Sequence, residues 1–275
     1  MSDTYCESSG LLVIDDSNAH KYCDPKGSMI DGELVSTGLS IADIQDIMPE
    51  CCEAWPHPDI PRDEWPERIE EYRALKRSVK HFYDRFDVHS LYQNGTNYCH
   101  TNAITNLAIS KLMKQGHGYK SLSPASVAAP FLNYRNVGSL GRLSLQYMAD
   151  HGICETKFWP PNAIDPKYDN EESRENRKLY VPTKFWILPN RFETKMTALL
   201  MGHELACGYY FWSHEIMAAA PWMDATKKRF GSEELNSHGD TWPQPGARGW
   251  GVLDESKSGD LMDCCAIAQM KPLAI

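Results

Sequence analysis

"YQNGTNYCHTNAITNLAISKLM", Tyr92 to Met113, decides how the rest of the chain is read. It opens on Asn94-Gly95, a turn-forming pair. It then passes a single cysteine, Cys99, and becomes a helical pattern in which Ile104, Leu107, Ala108, Leu112 and Met113 recur at steps of three or four. Gly116 and Gly118 end that helix. Asn97 is a candidate N-cap, which places Cys99 in the first turn. Backbone N–H groups and the positive end of the macrodipole favour a thiolate there. The same cysteine also reads as a small buried hydrophobe. The local stretch leaves both readings open, so the decision passes to the rest of the chain.

The chain has 275 residues, 42% hydrophobic and 24% charged, with a net charge of −9. This is the profile of a globular protein with one large domain or two modest ones. The negative balance argues against a broad grip on nucleic acid or anionic lipid, and no nucleic-acid or membrane partner is expected. No apolar run approaches the ~20 residues of a membrane span. "MSDTYCESSG" has neither a basic nor an apolar leader region, so no signal peptide is expected. The nine cysteines form no CxxC pair. Their odd number favours reduced thiols in a cytosol-like compartment, and zinc-site spacing is absent, so no metal is expected.

Residues 1–62 read as an irregular arm with short apolar runs such as Leu11–Ile14, too poor to build its own core. Ser40–Met48 reads as a short helix with Ser40 as its cap. Residues 63–86, "DEWPERIEEYRALKRSVKHFYDRF", predict one helix with Ile69, Tyr72, Leu75, Val79, Phe82 and Phe86 on a single apolar face. Ser123-Pro124 starts a further helix. Leu140, Leu143, Tyr147 and Met148 mark another, stopped by Gly152. The Pro-rich, then charged stretch Phe158–Tyr180 reads as a surface loop or crossover. "KFWIL", "LACGYYFW" and "EIMAAA" are strand-like. Helices first and strands later indicate an α+β domain made of two halves.

Acyl transfer by a cysteine needs a thiolate, a histidine to relay the proton, a polar group to orient the imidazole, and donors for the developing oxyanion. The chain offers one candidate for each. Cys99 is the nucleophile. Gln93, six residues earlier, could turn its amide beside the Cys99 N–H to form an oxyanion hole. His214 begins a strand-like run, and Asn236 stands in a turn-rich loop where its amide oxygen could fix the histidine tautomer. Each also has a plain reading: a loop glutamine, a core histidine, a turn asparagine. His203 is the rival histidine, farther from Asn236 and not at the head of a small-residue strand.

Taken in order, these residues resemble a family. "QNGTNYCHTNA" is similar to the glutamine-to-nucleophile segment of papain-like cysteine peptidases. "LSPASVAAPFLNY" and "GSLGRLSLQYMADHGICETKFWP" resemble the helical stretch that follows it, "SHEIMAAAPW" the histidine strand, and "NSHGDTWPQPGARGWGVL" the asparagine motif. The resemblance covers about residues 87–275. It implies a papain-like two-subdomain fold, with a helical half over about 87–180, a β-rich half over about 181–275, and residues 1–86 as an N-terminal extended and helical arm. It also implies a thiol peptidase that needs no cofactor and takes a peptide or protein substrate in the cleft between the halves, with Cys99, His214 and Asn236 as catalytic residues and Gln93 with the Cys99 N–H as oxyanion hole. Residues 1–86 would then be a propeptide or a partner-binding arm.

The chain departs from the family at named positions. His100 stands where the family has Trp after the nucleophile, and Asn97-Tyr98 where it has Gly-Ser. His238 replaces the Trp that shields the Asn–His hydrogen bond, with Trp242 and Trp250 nearby. These changes support a second expectation: a catalytically weak or inactive papain fold serving as a structural or binding subunit of a large assembly, such as a virus particle, with residues 1–86 meeting the partner. A transferase or amidase using the same acyl-enzyme chemistry is a third.

Overall fold

The apolar runs of the second half of the chain pair into one large sheet. The structure is a computed structural model and describes residues 3–23, 28–30, 33–35 and 53–273. The arm holds β1 (Thr4–Tyr5), β2 (Leu12–Ile14), α1 (Ala19–Tyr22), β3 (Ser28–Ile30), β4 (Glu33–Val35) and β5 (Glu53–Ala54). The helices α2 (Trp65–Ala74), α3 (Lys80–Arg85), α4 (Cys99–Lys114), α5 (Ala125–Phe131), α6 (Gly141–His151) and α7 (Glu171–Arg177) follow. Then come β6 (Pro182–Ile187), α8 (Phe192–Leu200), β7 (Leu205–Tyr209), β8 (His214–Met223), β9 (Phe230–Leu235), β10 (Trp250–Asp254), α9 (Glu255–Ser258) and β11 (Leu261–Met270).

The main sheet has nine strands in the order β1-β2-β10-β9-β8-β7-β11-β6-β5. Pairing is antiparallel except for β2 on β10 and β5 on β6. Strand parity sorts the side chains between two cores. Met217, Ala219, Val252 and Ile267 join Ile104, Leu107 and Leu112 of α4 on one face. Ile216, Ala218, Leu253 and Ala266 join Met196 and Leu199 of α8 on the other. Helix α4 is buried on nearly every side and packs against β7, β8, β11 and α6. It lies against the middle strands of the sheet.

The segment 63–86 differs from the single helix expected. It breaks after Ala74, with Lys76 in the left-handed region at φ 50° and α3 starting at Lys80. Leu75 and Phe86 are exposed, while Tyr83 is buried. The break has a packing reason. Trp65 and Ile69 belong to the core on one side of the sheet, and Val79 and Tyr83 to the core on the other. A straight helix could not serve both.

The first strands do not stand apart from the sheet. β1 and β2 cap one edge and β5 the other, and Leu12, Val13 and Ile14 are fully buried. Ser40–Met48, read as a helix, lies outside the described residues. The described cysteines are all buried and none forms a disulfide. Among the described residues no helix is long and apolar enough to cross a membrane.

Candidate active site

Cys99 is the first residue of α4 and is fully buried, packed with Leu140 and Met262. The helix does not start as expected. Asn97 does not cap it: its backbone N–H donates to Asn136 Oδ1 at 2.7 Å and its amide to Asn136 O at 3.2 Å. Tyr98 occupies the cap position without a side-chain cap bond. Its carbonyl accepts from Thr101 Oγ1 at 3.0 Å and Asn102 Nδ2 at 2.8 Å, which draws the first turn tight. Cys99 at this end lies where the helix dipole stabilises an anion by roughly 0.3–1 kcal/mol, more when partly buried.

Gln93 is fully buried and tied to the loop that carries Asn236. Its backbone N–H donates to Ser237 O at 3.0 Å, and its Oε1 accepts from Ser237 Oγ at 2.6 Å. Its Nε2 donates to Thr96 O at 3.2 Å, across the turn that Gly95 makes at φ 73°. The Ser237 hydroxyl therefore sets the amide so that its NH2 lies on the side of the Gln93–Thr96 turn leading into Cys99.

His214 opens β8 after a tight reversal in which Ser213 takes φ 50°. His214 Nε2 donates to Asn236 Oδ1 at 2.8 Å, and the same oxygen accepts from Ser237 N at 2.7 Å. An amide oxygen can only accept, so the imidazole carries its proton on Nε2 and leaves Nδ1 as the basic nitrogen. Among the described residues Nδ1 has no hydrogen-bond partner. Burial lowers the His214 pKa to about 4, against the pull of the Asn236 bond, so the ring is neutral at pH 7.

The His214–Asn236 bond is enclosed by rings. His238 lies 4.6 Å from the His214 centroid at 31°, and Trp212 lies 4.6 Å from it at 57°. Trp242 stacks on Trp212 at 5.6 Å, so it reaches the histidine only through Trp212. Neither His238 nitrogen has a hydrogen-bond partner among the described residues, and burial holds its pKa well below the ordinary value. It behaves as an aromatic cover. His100 points elsewhere. It is fully buried on α4, its Nδ1 is 2.5 Å from Ser144 Oγ of α6, and burial lowers its pKa to about 3. His203 is remote from these groups, edge-on to Trp186 at 4.9 Å and Trp55 at 5.8 Å.

Four neighbours of the site escaped the sequence reading. Trp212 sits two residues before His214, and Ser237 directly follows Asn236, so adjacency was their only signal. The other two are buried carboxyls, Glu215 on β8 and Asp263 on β11, which meet the start of α6. Glu215 Oε2 accepts from Gly141 N at 2.8 Å and Asp263 Oδ2 from Arg142 N at 3.0 Å. A Cβ on Gly141 would lie 1.7 Å from Glu215 Oε1, so only glycine permits this approach. Burial and mutual repulsion raise the Glu215 pKa well above the ordinary range, and burial raises that of Asp263. Leu140 and Met262, the residues packed on Cys99, directly precede Gly141 and Asp263 in the chain. Among the described residues no cluster of three or more His, Cys, Asp or Glu is placed to hold a metal ion.

No protein-family model matches the chain, and no curated protein matches its sequence. Solved structures do. Xylellain, a cysteine protease from Xylella fastidiosa, is similar at TM-score 0.53 and 14% identity, over 66% of this chain and 83% of that one. Digestive procathepsin L 3 of Tenebrio molitor is similar at TM-score 0.54 and 15% identity, over 64% of this chain and 65% of that one. The bromelain protease from Ananas comosus, solved with the E64 inhibitor, is similar at TM-score 0.54 and 14% identity, over 70% of this chain and 95% of that one. Identities this low carry the fold and nothing finer. With its central helix, large sheet and these neighbours, the chain has the α+β fold of papain-like cysteine proteases.

Proposed function

We propose that the chain is a thiol peptidase of the papain-like kind, with Cys99 as nucleophile, His214 as base, Asn236 as orienter, and Gln93 with the Cys99 N–H as oxyanion donors. The observation that carries the reading is the His214 Nε2 to Asn236 Oδ1 bond of 2.8 Å, which leaves Nδ1 as the proton acceptor. In the first step the Cys99 thiol proton passes to His214 Nδ1 and the sulfur attacks the substrate carbonyl. The oxyanion is met by the two N–H donors, each worth roughly 3–4 kcal/mol by analogy with other oxyanion holes. His214 then gives its proton to the departing amine, and water hydrolyses the thioester. Residues 1–86 act as an arm to the peptidase domain of residues 87–275 in this reading, and a peptide or protein lies between the two halves.

One observation favours the second reading, a papain fold used as a structural or binding subunit. Cys99, Gln93 and His214 are all 0% exposed. Depressing an imidazole from its ordinary value to about 4 corresponds to roughly 3 kcal/mol against the imidazolium that catalysis must form. A peptidase must relieve that cost by opening to substrate. Labelling with an E64-type epoxide, mapped by mass spectrometry, separates the readings. The peptidase reading expects Cys99 to react faster than Cys154 or Cys207 and to lose that advantage in His214→Ala. Equal reactivity of these thiols, with no effect of His214→Ala, leaves the structural subunit.

A further inference from the structure

The chain carries a net charge of −9, yet one short stretch inverts it. "RALKRSVKHFYDR", Arg73 to Arg85, holds Arg73, Lys76, Arg77, Lys80 and Arg85 against the single acid Asp84. The break between α2 and α3 bends this stretch around a cavity of about 340 Å³. Arg73, Lys76, Lys80, His81 and Asp84 line it, together with Ser8, Ser9 and Ser78. The cavity is far from the candidate active site. His214 opens β8, while Ala220 and Pro221, which floor the cavity, lie six and seven residues on, roughly 20 Å along an extended strand.

The local acids offset only part of this charge. Asp84 is spent on Lys80, whose Nζ lies 3.0 and 2.9 Å from its two oxygens. Arg73 uses one Nη2 bond on Met223 O at 3.1 Å, which aims the guanidinium without discharging it. The Lys76 ammonium and the His81 ring make no hydrogen bond or ion pair among the described residues. The remaining acid is Glu233 of β9. Burial raises its pKa, against the pull of Arg73 and Lys80. Cations and short hydroxyl side chains outnumber the acids Asp84 and Glu233 around one concave space. Lys76 also holds a left-handed backbone that a lysine rarely adopts, and strain of this kind collects at binding sites.

We propose that this cavity binds a small phosphate-type dianion, held by Arg73, Lys76 and His81 and by the hydroxyls of Ser8, Ser9 and Ser78. Planar and point cations with short hydroxyl donors match the three equivalent oxygens of a phosphomonoester. The space exceeds a bare phosphate and falls in the range of small-metabolite pockets, so a phosphomonoester with a compact organic group fits better than the free ion. Bound there, it would bridge the Ser8–Ser9 turn of the arm to the α2–α3 elbow. The proposal is independent of whether Cys99 is catalytic.

Calorimetric titration of the full chain at constant ionic strength tests it, with inorganic phosphate, glucose 6-phosphate and succinate as probes. Saturable 1:1 binding is expected for both phosphates, tighter for the sugar phosphate. Lys76→Ala, an exposed and fold-neutral change, should weaken it about tenfold or more. Lys157→Ala, on the far Glu155 pair, should leave it unchanged. Circular dichroism checks that Lys76→Ala is folded. Absence of saturable binding to either phosphate overturns the proposal. So does binding insensitive to Lys76→Ala, or succinate binding more tightly than both phosphates.

Discussion

Replacing Asn236 by alanine removes one oxygen that serves two buried donors, His214 Nε2–H at 2.8 Å and Ser237 N–H at 2.7 Å. A buried donor left without an acceptor costs about 1–3 kcal/mol. Water entering the vacated space recovers part of this, so Asn236→Ala should lower unfolding free energy by about 2–4 kcal/mol in urea melts. If His214 is a base, its lost tautomer control should also cut kcat/KM on a fluorogenic peptide about 10- to 100-fold, equivalent to roughly 1.4–2.8 kcal/mol. Asn236→Asp separates geometry from charge. It keeps the acceptor, adds a negative charge beside the ring, and should raise the His214 titration from about 4 to above about 5, followed by NMR of the ring protons. An alanine variant within ~0.5 kcal/mol of the parent, with an aspartate variant whose histidine titrates unchanged, would refute the orienting role. The stability arm of this test holds whether or not the protein hydrolyses peptides.

Other outcomes follow from buried charge and from the arm. Lys195 and Glu234 form a fully buried pair at 2.9 Å, so Lys195→Met should cost about 3–5 kcal/mol in urea melts, and pairing it with Glu234→Leu should restore most of that. Glu215→Gln keeps an acceptor for Gly141 N–H but removes ionisation. Because the folded pKa of Glu215 is raised, its carboxyl contributes stability that is present at low pH and lost as pH rises through the folded value. The glutamine variant should therefore gain on the parent by up to about 1.4 kcal/mol per pH unit above the ordinary carboxylate range; a difference flat from pH 4 to 8 rejects this account. Deleting residues 1–23 strips Leu12, Val13 and Ile14 from the core and should cost roughly 5–9 kcal/mol, read as a collapsed melting transition or loss of soluble protein.

The parts of the site that could be read in the sequence were those fixed by order and short spacing. Gln93 and Cys99 share one turn and one helix start, and the histidine and asparagine runs carry recognisable neighbours. Asn97 does not cap α4, because its backbone N–H and its side-chain amide both bond Asn136, a partner that no local pattern reveals. The single helix over 63–86 failed because periodicity reports one apolar face and says nothing of two cores facing opposite ways. Helix α8 leaves no periodic signal in the sequence. It is buried on most sides with Thr194, Lys195 and Thr197 inside, so it shows no polar stripe from which to measure a period. Trp212 and the Glu215–Asp263 clamp depend on strand register between β7, β8 and β11, which no local pattern encodes.

The arm has a consequence in time as well as in space. β2 pairs in parallel with β10, and Val13 lies opposite Val252, 239 positions later in the chain (252 − 13). A ribosome delivers Val252 239 residues after Val13, at roughly 5–20 residues per second. Leu12, Val13 and Ile14 therefore wait without their β10 partner while the residues between the two strands are made. This edge of the sheet closes only after β10 has been made, with the loop-closure cost of a very distant contact. The unclosed β10 edge is an open template for strand addition during that interval. Whatever the finished molecule does, its newborn form is the one most exposed to pairing with the wrong strand.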